Sequence, residues 1–308
     1  SREITVTFGL KKLFIPALAA IAILIIALVI WKLIPKKEPV LPPKIENSIA
    51  VISFKNQTGD KAYDYLQEAI PNLLITSLEQ TGLLYVATWE RMHDLLKQMG
   101  KEDVEVIDRD LGFELCRREG IKSIVLGSFI KAGDMFATDV KVLDVETKGL
   151  LKSASSKGKG PDSILESQID ALSREVSQGI GISGKKIEAA QIKVEDITTN
   201  SIEAYNYFLR GREEAYKLYN DSARKFLEKA VELDPTFAMA YLYLAQTYSS
   251  LGNIKARNEA IEKAKNFSEK VTDKERLYIE ASFARNSEKY LAILQQIANR
   301  YPKEKFVP

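Results

Sequence analysis

GIKSIVLGSFIKAGDMFATDVKVLDVETKGLL, residues Gly120–Leu151, decides the fold. It reads as strands at Ser123–Lys131 and Met135–Asp144 and the start of a third at Leu150–Ser156. Ala132-Gly133-Asp134 and Glu146-Thr147-Lys148-Gly149 are connections of hairpin length. Val140 and Val142 flank Lys141, the period of a half-buried antiparallel strand. Upstream, SIAVISF (Ser48–Phe54) is a β-branched apolar run ended by Asn56-Gln57-Thr58-Gly59-Asp60, so a buried strand and a turn. Asp64–Leu78 sets Leu66, Ala69, Ile70, Leu73, Leu74 and Leu78 on one helical face, with Pro71 as a bend. Leu83–Ala87 is a further strand. Thr88 or Trp89 opens a helix to Met99, and Asp108 caps another that Gly120 stops after Glu119. Ser163–Gly179 is a closing helix. The order βαβααβββα predicts a mixed-sheet α/β domain over 47–182.

These residues carry a resemblance. Ile49–Asp60, Gly120–Gly133 and Asp144–Gly149 are similar to the motifs of the TolB-amino-terminal-like or FlgO-like domain, with Lys148 as an insertion between Thr147 and Gly149. The resemblance implies a domain placed beside a membrane helix and tetratricopeptide repeats, downstream of a protein kinase, adenylate cyclase or winged-helix DNA-binding domain. The wording is most similar to the region after the kinase domain in bacterial membrane-anchored serine/threonine protein kinases.

Residues 183–200 are polar and read as a linker. A period of 34 follows: Tyr207 recurs as Tyr241, Gly211 as Ala245, and Glu228-Lys229-Ala230 as Glu262-Lys263-Ala264. This resembles the tetratricopeptide family. Repeat one is Ile202–Pro235 and repeat two Thr236–Glu269, with Arg257 where a small residue is usual. A third helix pair, Lys274–Arg285 and Glu288–Arg300, is irregularly spaced. The array, 201–308, is expected to be a truncated solenoid. It implies a protein or peptide partner held on the first helices, with Tyr207, Arg210, Glu214, Tyr241, Gln246 and Tyr248 as candidate contacts. The competing reading is that the tyrosines pack helix on helix.

Leu13–Trp31 carries no charge over 19 residues, enough helix to cross a hydrocarbon core of about 30 Å. Lysines 11, 12, 32, 36 and 37 bracket it. The expectation is a transmembrane helix over 13–34 contacting the lipid bilayer, with 1–12 as the juxtamembrane end of an upstream region; the chain opens on Ser1. A buried core helix and a signal peptide are the competing readings. Residues 35–46, with Pro35, Pro39, Pro42 and Pro43, form a stiff spacer. Together these give an α+β/α class: one membrane helix, one mixed-sheet domain and one helical solenoid. The resemblance implies a bacterial inner-membrane protein with extracytoplasmic soluble domains. A homo-oligomer is a further expectation.

Composition narrows the function. The chain has 308 residues and a net charge of +2. Residues 1–46 hold seven basic and three acidic side chains, so the remainder is net acidic, with no basic face for nucleic acid. One cysteine, Cys116, and one histidine, His93, exclude a disulfide and a His/Cys zinc site. Gly179–Lys185 fits G-x-x-x-x-G-K, but Lys186 stands where a phosphate loop needs Ser or Thr. Asp103, Glu105, Asp108 and Asp110 lack the glycine and terminal Glu of a calcium loop. No catalytic residue, cofactor or metal is therefore expected. Asn56, Thr58 and Asp60, at the end of the first strand, form the candidate ligand loop, with turn chemistry as the alternative. Three classes compete: a sensor and protein-interaction region regulating an upstream kinase (or a cyclase or winged-helix regulator), a stand-alone envelope scaffold, and an enzyme.

Overall fold

Strand β1 (Ser48–Val51) is the centre from which the molecule is built. Its side chains alternate between two cores: Ile49 and Val51 enter one, Ala50 and Ile52 the other. That is the pattern of a parallel strand covered on both faces. The strand pairs in parallel with β3 (Tyr85–Ala87) on one side and β4 (Ser123–Ala132) on the other. β2 (Lys55–Asn56) also runs parallel beside β4. Antiparallel hairpins add β5 (Met135–Asp144) and β6 (Leu150–Lys159), giving the order β3-β1-β4-β5-β6. The computed structural model describes residues 47–104, 106–284 and 287–301, all of them within the unit Ile45–Pro308.

Helices cover the sheet because the crossovers between its parallel strands put them there. On one face lie α2 (Trp89–Gln98) and α3 (Arg109–Glu119), closing a core with Met92, Leu96, Phe113 and Cys116. Thr88 caps α2 by accepting from Arg91 N–H, and Asp108 caps α3 by accepting from Leu111 N–H. α1 (Leu66–Glu79) and α4 (Ile169–Gly179) pack on the other face. α1 is buried nearly all round, from Leu66, Ala69 and Ile70 to Asn72, Ile75 and Ser77. A helix apolar on all sides has an element on its outer face as well.

That outer element is the repeat array. α6 (Ile202–Tyr216) pairs with α7 (Asn220–Leu233), α8 (Ala238–Ser250) with α9 (Ile254–Asn266), and α10 (Asp273–Phe283) with α11 (Ser287–Arg300). Gly211 lets α6 approach α7: a Cβ there would lie 2.6 Å from Leu227 Cγ and 3.2 Å from its backbone nitrogen. The core that holds Ile49, Leu73 and Phe136 runs on without a break through Tyr205, Phe208, Phe237 and Ile279.

Several expectations are corrected. Residues 183–200 are not a free linker: α5 (Gly184–Ala190) and a short turn at Val194–Ile197 fold there, with Ile187, Val194 and Ile197 buried. Asp170 anchors this stretch, accepting from Val194 N–H at 3.1 Å. The third strand does not end at Ser156 but runs on through Lys157-Gly158-Lys159, paired with Met135–Ala137. The first strand stops at Val51, because Phe54 N–H turns to the carbonyl of Gln67 at 3.0 Å. There the Phe54 ring occupies the space that a side chain at Gly127 would need. The closing helix begins as a wide turn, Ile164–Gln168, before α4. The expected juxtamembrane end (1–12), membrane helix (13–34) and spacer (35–46) lie outside the described residues, as does the end of the array at 302–308. Among the described residues no helix is long and apolar enough to cross a membrane.

Candidate functional site

The two halves of the folded unit meet at α1 and at the first helix of each pair. Arg212, on α6, is the central contact. It is 7% exposed and its guanidinium lies 4.1 Å from the centre of the Trp89 ring. It donates to Asn72 Oδ1 at 3.0 Å and lies 3.4 Å from Glu68 and 3.7 Å from Glu90. A guanidinium stacked on indole and shared among planar acceptors is a geometry that lysine does not reproduce. A second charge contact sits farther along α1, where Lys274 Nζ on α10 meets Glu79 at 2.6 Å with both side chains largely buried.

The electrostatics follow from enclosure. The His93 ring lies against Trp89, tilted by 38° with ring centres 4.0 Å apart. Burial, and then the positive charge of Arg212, push its pKa down to about 4. Burial raises the carboxyls of Glu68 and Glu275 above the ordinary range, opposed at Glu68 by Arg212 and at Glu275 by hydrogen bonds from Thr272. Thr272 and Glu275 form the reciprocal cap that starts α10. On the far side of the sheet, burial pushes the Cys116 thiol up to about 12.

The sequence candidates fall elsewhere, with one exception. Tyr207 packs toward Phe226, and Arg210 lies 4.0 Å over the same ring. Tyr241 stacks on Phe267, and Tyr248 OH donates to Glu228 at 2.7 Å. Glu214 is half-exposed near the end of α6. These side chains serve helix packing or face outward, whereas Gln246 lines the cavity at the junction. The residues that face α1 are Tyr205, Phe208 and Arg212, and the 34-residue period carries them onto Met239, Leu242 and Gln246. The junction residues thus recur at the same 34-residue period as the sequence candidates, on another face of the first helices.

Asn56, Thr58 and Asp60 are brought together, but chiefly to bond one another. Asn56 Oδ1 accepts from Thr58 N–H and Thr58 OH at 2.9 and 2.7 Å. Asn56 Nδ2 donates to Asp60 O and Asp64 Oδ1. Asp60 caps the following turn at Ala62 N–H. This is the turn alternative in full geometry. Among the described residues no group of three or more His, Cys, Asp or Glu side chains is placed to hold a metal ion.

Comparison with known proteins adds the following. A family model described as tetratricopeptide repeat matches residues 226–257, which span most of α7, all of α8 and the start of α9. A curated protein of Rhizobium meliloti (strain 1021), named "Putative adenylate cyclase 3", is 25% identical over 229 residues, covering 70% of this chain. The chain spans 37% of the length of that relative. Among solved structures, the LpoB C-terminal domain from Escherichia coli is similar at 14% identity, over 37% of this chain and 82% of that one, with a TM-score of 0.30. Lipoprotein GNA1162 from Neisseria meningitidis is similar at 16% identity over the same shares, TM-score 0.30. TolB from Acinetobacter baumannii is similar at 12% identity, over 44% of this chain and 28% of that one, TM-score 0.29. At these TM-scores the structural likenesses carry no argument about this chain. What stands is a mixed-sheet α+β architecture joined to helix pairs that include a tetratricopeptide repeat, a module generally used for protein–protein interaction.

Proposed function

We propose that the chain is a non-catalytic, membrane-anchored sensor and protein-interaction region that regulates a signalling module placed before it. The observation that carries the reading is the tetratricopeptide match at 226–257 within an array whose core is continuous with the α/β domain. Contact made on the repeats is thereby applied to the whole folded unit. The membrane helix over 13–34, the bacterial inner-membrane location and the extracytoplasmic placement of the folded unit belong to this proposal. So does the identity of the upstream module as a serine/threonine kinase.

A second reading replaces the kinase by a cyclase. It is favoured by the relative named as an adenylate cyclase, of which this chain spans 37%. The test is the mass of the native membrane protein, detected by antibody against residues 201–301. A species heavier than 34.6 kDa by a kinase- or cyclase-sized amino-terminal region supports regulation, and the sequence of that region separates the two. A native species of 34.6 kDa would refute an attached catalyst and leave the scaffold reading, in which the repeats capture partners for assembly.

A further inference from the structure

The two edges of the sheet differ. β3, at one end, has 3 residues, with Val86 and Ala87 buried. β6, at the other, has 10 residues and none of them is buried. Among the described residues no strand pairs with its far side. Its ladder with β5 is regular from Lys152 to Lys159. In an antiparallel edge strand every second residue turns its N–H and C=O away from the sheet. An edge this long and open is a template for one more strand, and proteins generally shorten or cover such edges.

A groove runs along it. Lys152 and Ala154 form one wall and Ala171, Arg174 and Glu175 of α4 the other, around a space of about 340 Å³. An exposed strand edge holds an extended peptide through main-chain hydrogen bonds, and the side chains beside it choose which peptide. Here β6 carries Lys152, Lys157 and Lys159 and no acidic residue. Glu175 holds Lys152 at 2.8 Å, whereas Lys157 and Lys159 form no ion pair among the described residues. Asp139, opposite Ser155, lies one strand in from the edge. At the start of β6, Leu150 and Leu151 are 59% and 45% exposed, apolar ground for one end of an added strand.

We propose that the free edge of β6 takes up an extended, acidic segment of a partner protein as a further strand. A second copy of this chain fits the edge poorly. Antiparallel pairing over Lys152–Lys159 would set Lys152 of each copy opposite Lys159 of the other, and like charges directly opposite destabilise a sheet. The charge that repels a second copy attracts carboxylates. The site lies on the α/β domain and uses no residue of the repeats. It therefore stands or falls separately from the function proposed above, which rests on the array.

The experiment uses the full chain in detergent, with detergent alone as the blank. The probe is a fluorescein-labelled peptide of about eight residues that alternates glutamate and valine, so that its carboxylates share one face when extended. Fluorescence anisotropy should show saturable binding. The same peptide N-methylated throughout keeps the charges but has no N–H to donate, and a version with lysine for glutamate reverses them; neither should bind. Lys157→Glu with Lys159→Glu should weaken binding by about tenfold. Both side chains lie outside the core, and far-UV circular dichroism checks that the fold is kept. Hydrogen exchange, which needs no variant, should slow within residues 150–159 when the acidic peptide is bound. Equal binding of the N-methylated peptide would reduce the contact to loose ion pairing and overturn the proposal. So would unchanged exchange in β6, or a dimer in sedimentation that the two lysine substitutions leave intact and whose formation protects β6.

Discussion

The first and third helix pairs share an antiparallel design and differ in what holds them. In α6–α7, Tyr205, Phe208, Leu227 and Ala230 belong to the same core as the sheet. In α10–α11, Leu277, Ala281, Ile293 and Ile297 form a small cluster of their own, with Ile279 and the Lys274–Glu79 pair reaching across to the rest. Repeat arrays usually draw stability from nearest neighbours along one dimension. Here one end of the array has become part of a globular core, while the other keeps the local arrangement. A repeat therefore gains global stability when its inner face finds a second domain to pack on.

The largest test of that difference is Phe237→Ala. Phe237 is 1% exposed and touches both Tyr205 and Phe208. Its truncation should cost about 3–5 kcal/mol. Thiol labelling of Cys116, buried across the sheet, should accelerate along with amide exchange in α6. Cys116 sits in the core on the opposite face of the sheet, so faster exchange in α6 with unchanged Cys116 labelling would show the array opening without the sheet and break the picture of a fused unit.

Next in size is a pH effect carried by His93. Its folded pKa, about 4, lies below the ordinary 6.5, so the unfolded chain binds the proton first as pH falls. Stability is thus undiminished above about 6.5 and is lost progressively toward pH 4, by up to about 3 kcal/mol. Glu68 and Glu275 act in the opposite sense, since their raised folded pKa favours the folded state in acid. The comparison is therefore wild type against His93→Gln, whose stability curves should converge as pH falls from 6.5 to 4. The single histidine should titrate near 4 by NMR, and a midpoint near 6.5 would contradict the enclosure at Trp89 and Arg212.

Ile297→Ala should be smaller and local. Removing this side chain should cost about 2–3 kcal/mol, read as faster amide exchange across α10 and α11 with α1 and α6 unchanged. Loss of protection in α6 would show that the third pair is as fused as the first. The smallest effect is expected of Tyr248→Phe, which loses one partly exposed hydrogen bond to Glu228, about 0.5–1 kcal/mol by chemical denaturation. A larger loss would mean that Tyr248 does more than join α8 to α7.

Much of this was legible in local chemistry. Asp108 caps α3 by its side chain, as its place before an apolar period requires, and β5 runs from Met135 to Asp144 as the alternation indicates. The 34-residue period set repeat bounds, Ile202–Pro235 and Thr236–Glu269, that each enclose one helix pair. The junction was not legible in the same way. Arg212 reads as one more charged residue on a helix, and only the arrival of Trp89, Asn72 and Glu68 from more than 120 residues away makes it buried and shared. The stretch 183–200 looked like a linker because Ile187, Val194 and Ile197 are sparse, and sparse apolar residues are buried only when a surface is there to receive them.

The sequence by itself determined the elements and their order, because caps, turns and apolar periods act over a few residues. It also determined the small-residue contact at Gly211, which repeats as Ala245 at the period of 34. Only the tertiary structure decided which face of the array is covered, that two apparent domains share one core, and that Arg212 is buried and shared where they meet. Those properties depend on groups far apart in the chain, whose burial and pairing exist only once the packing has brought them together.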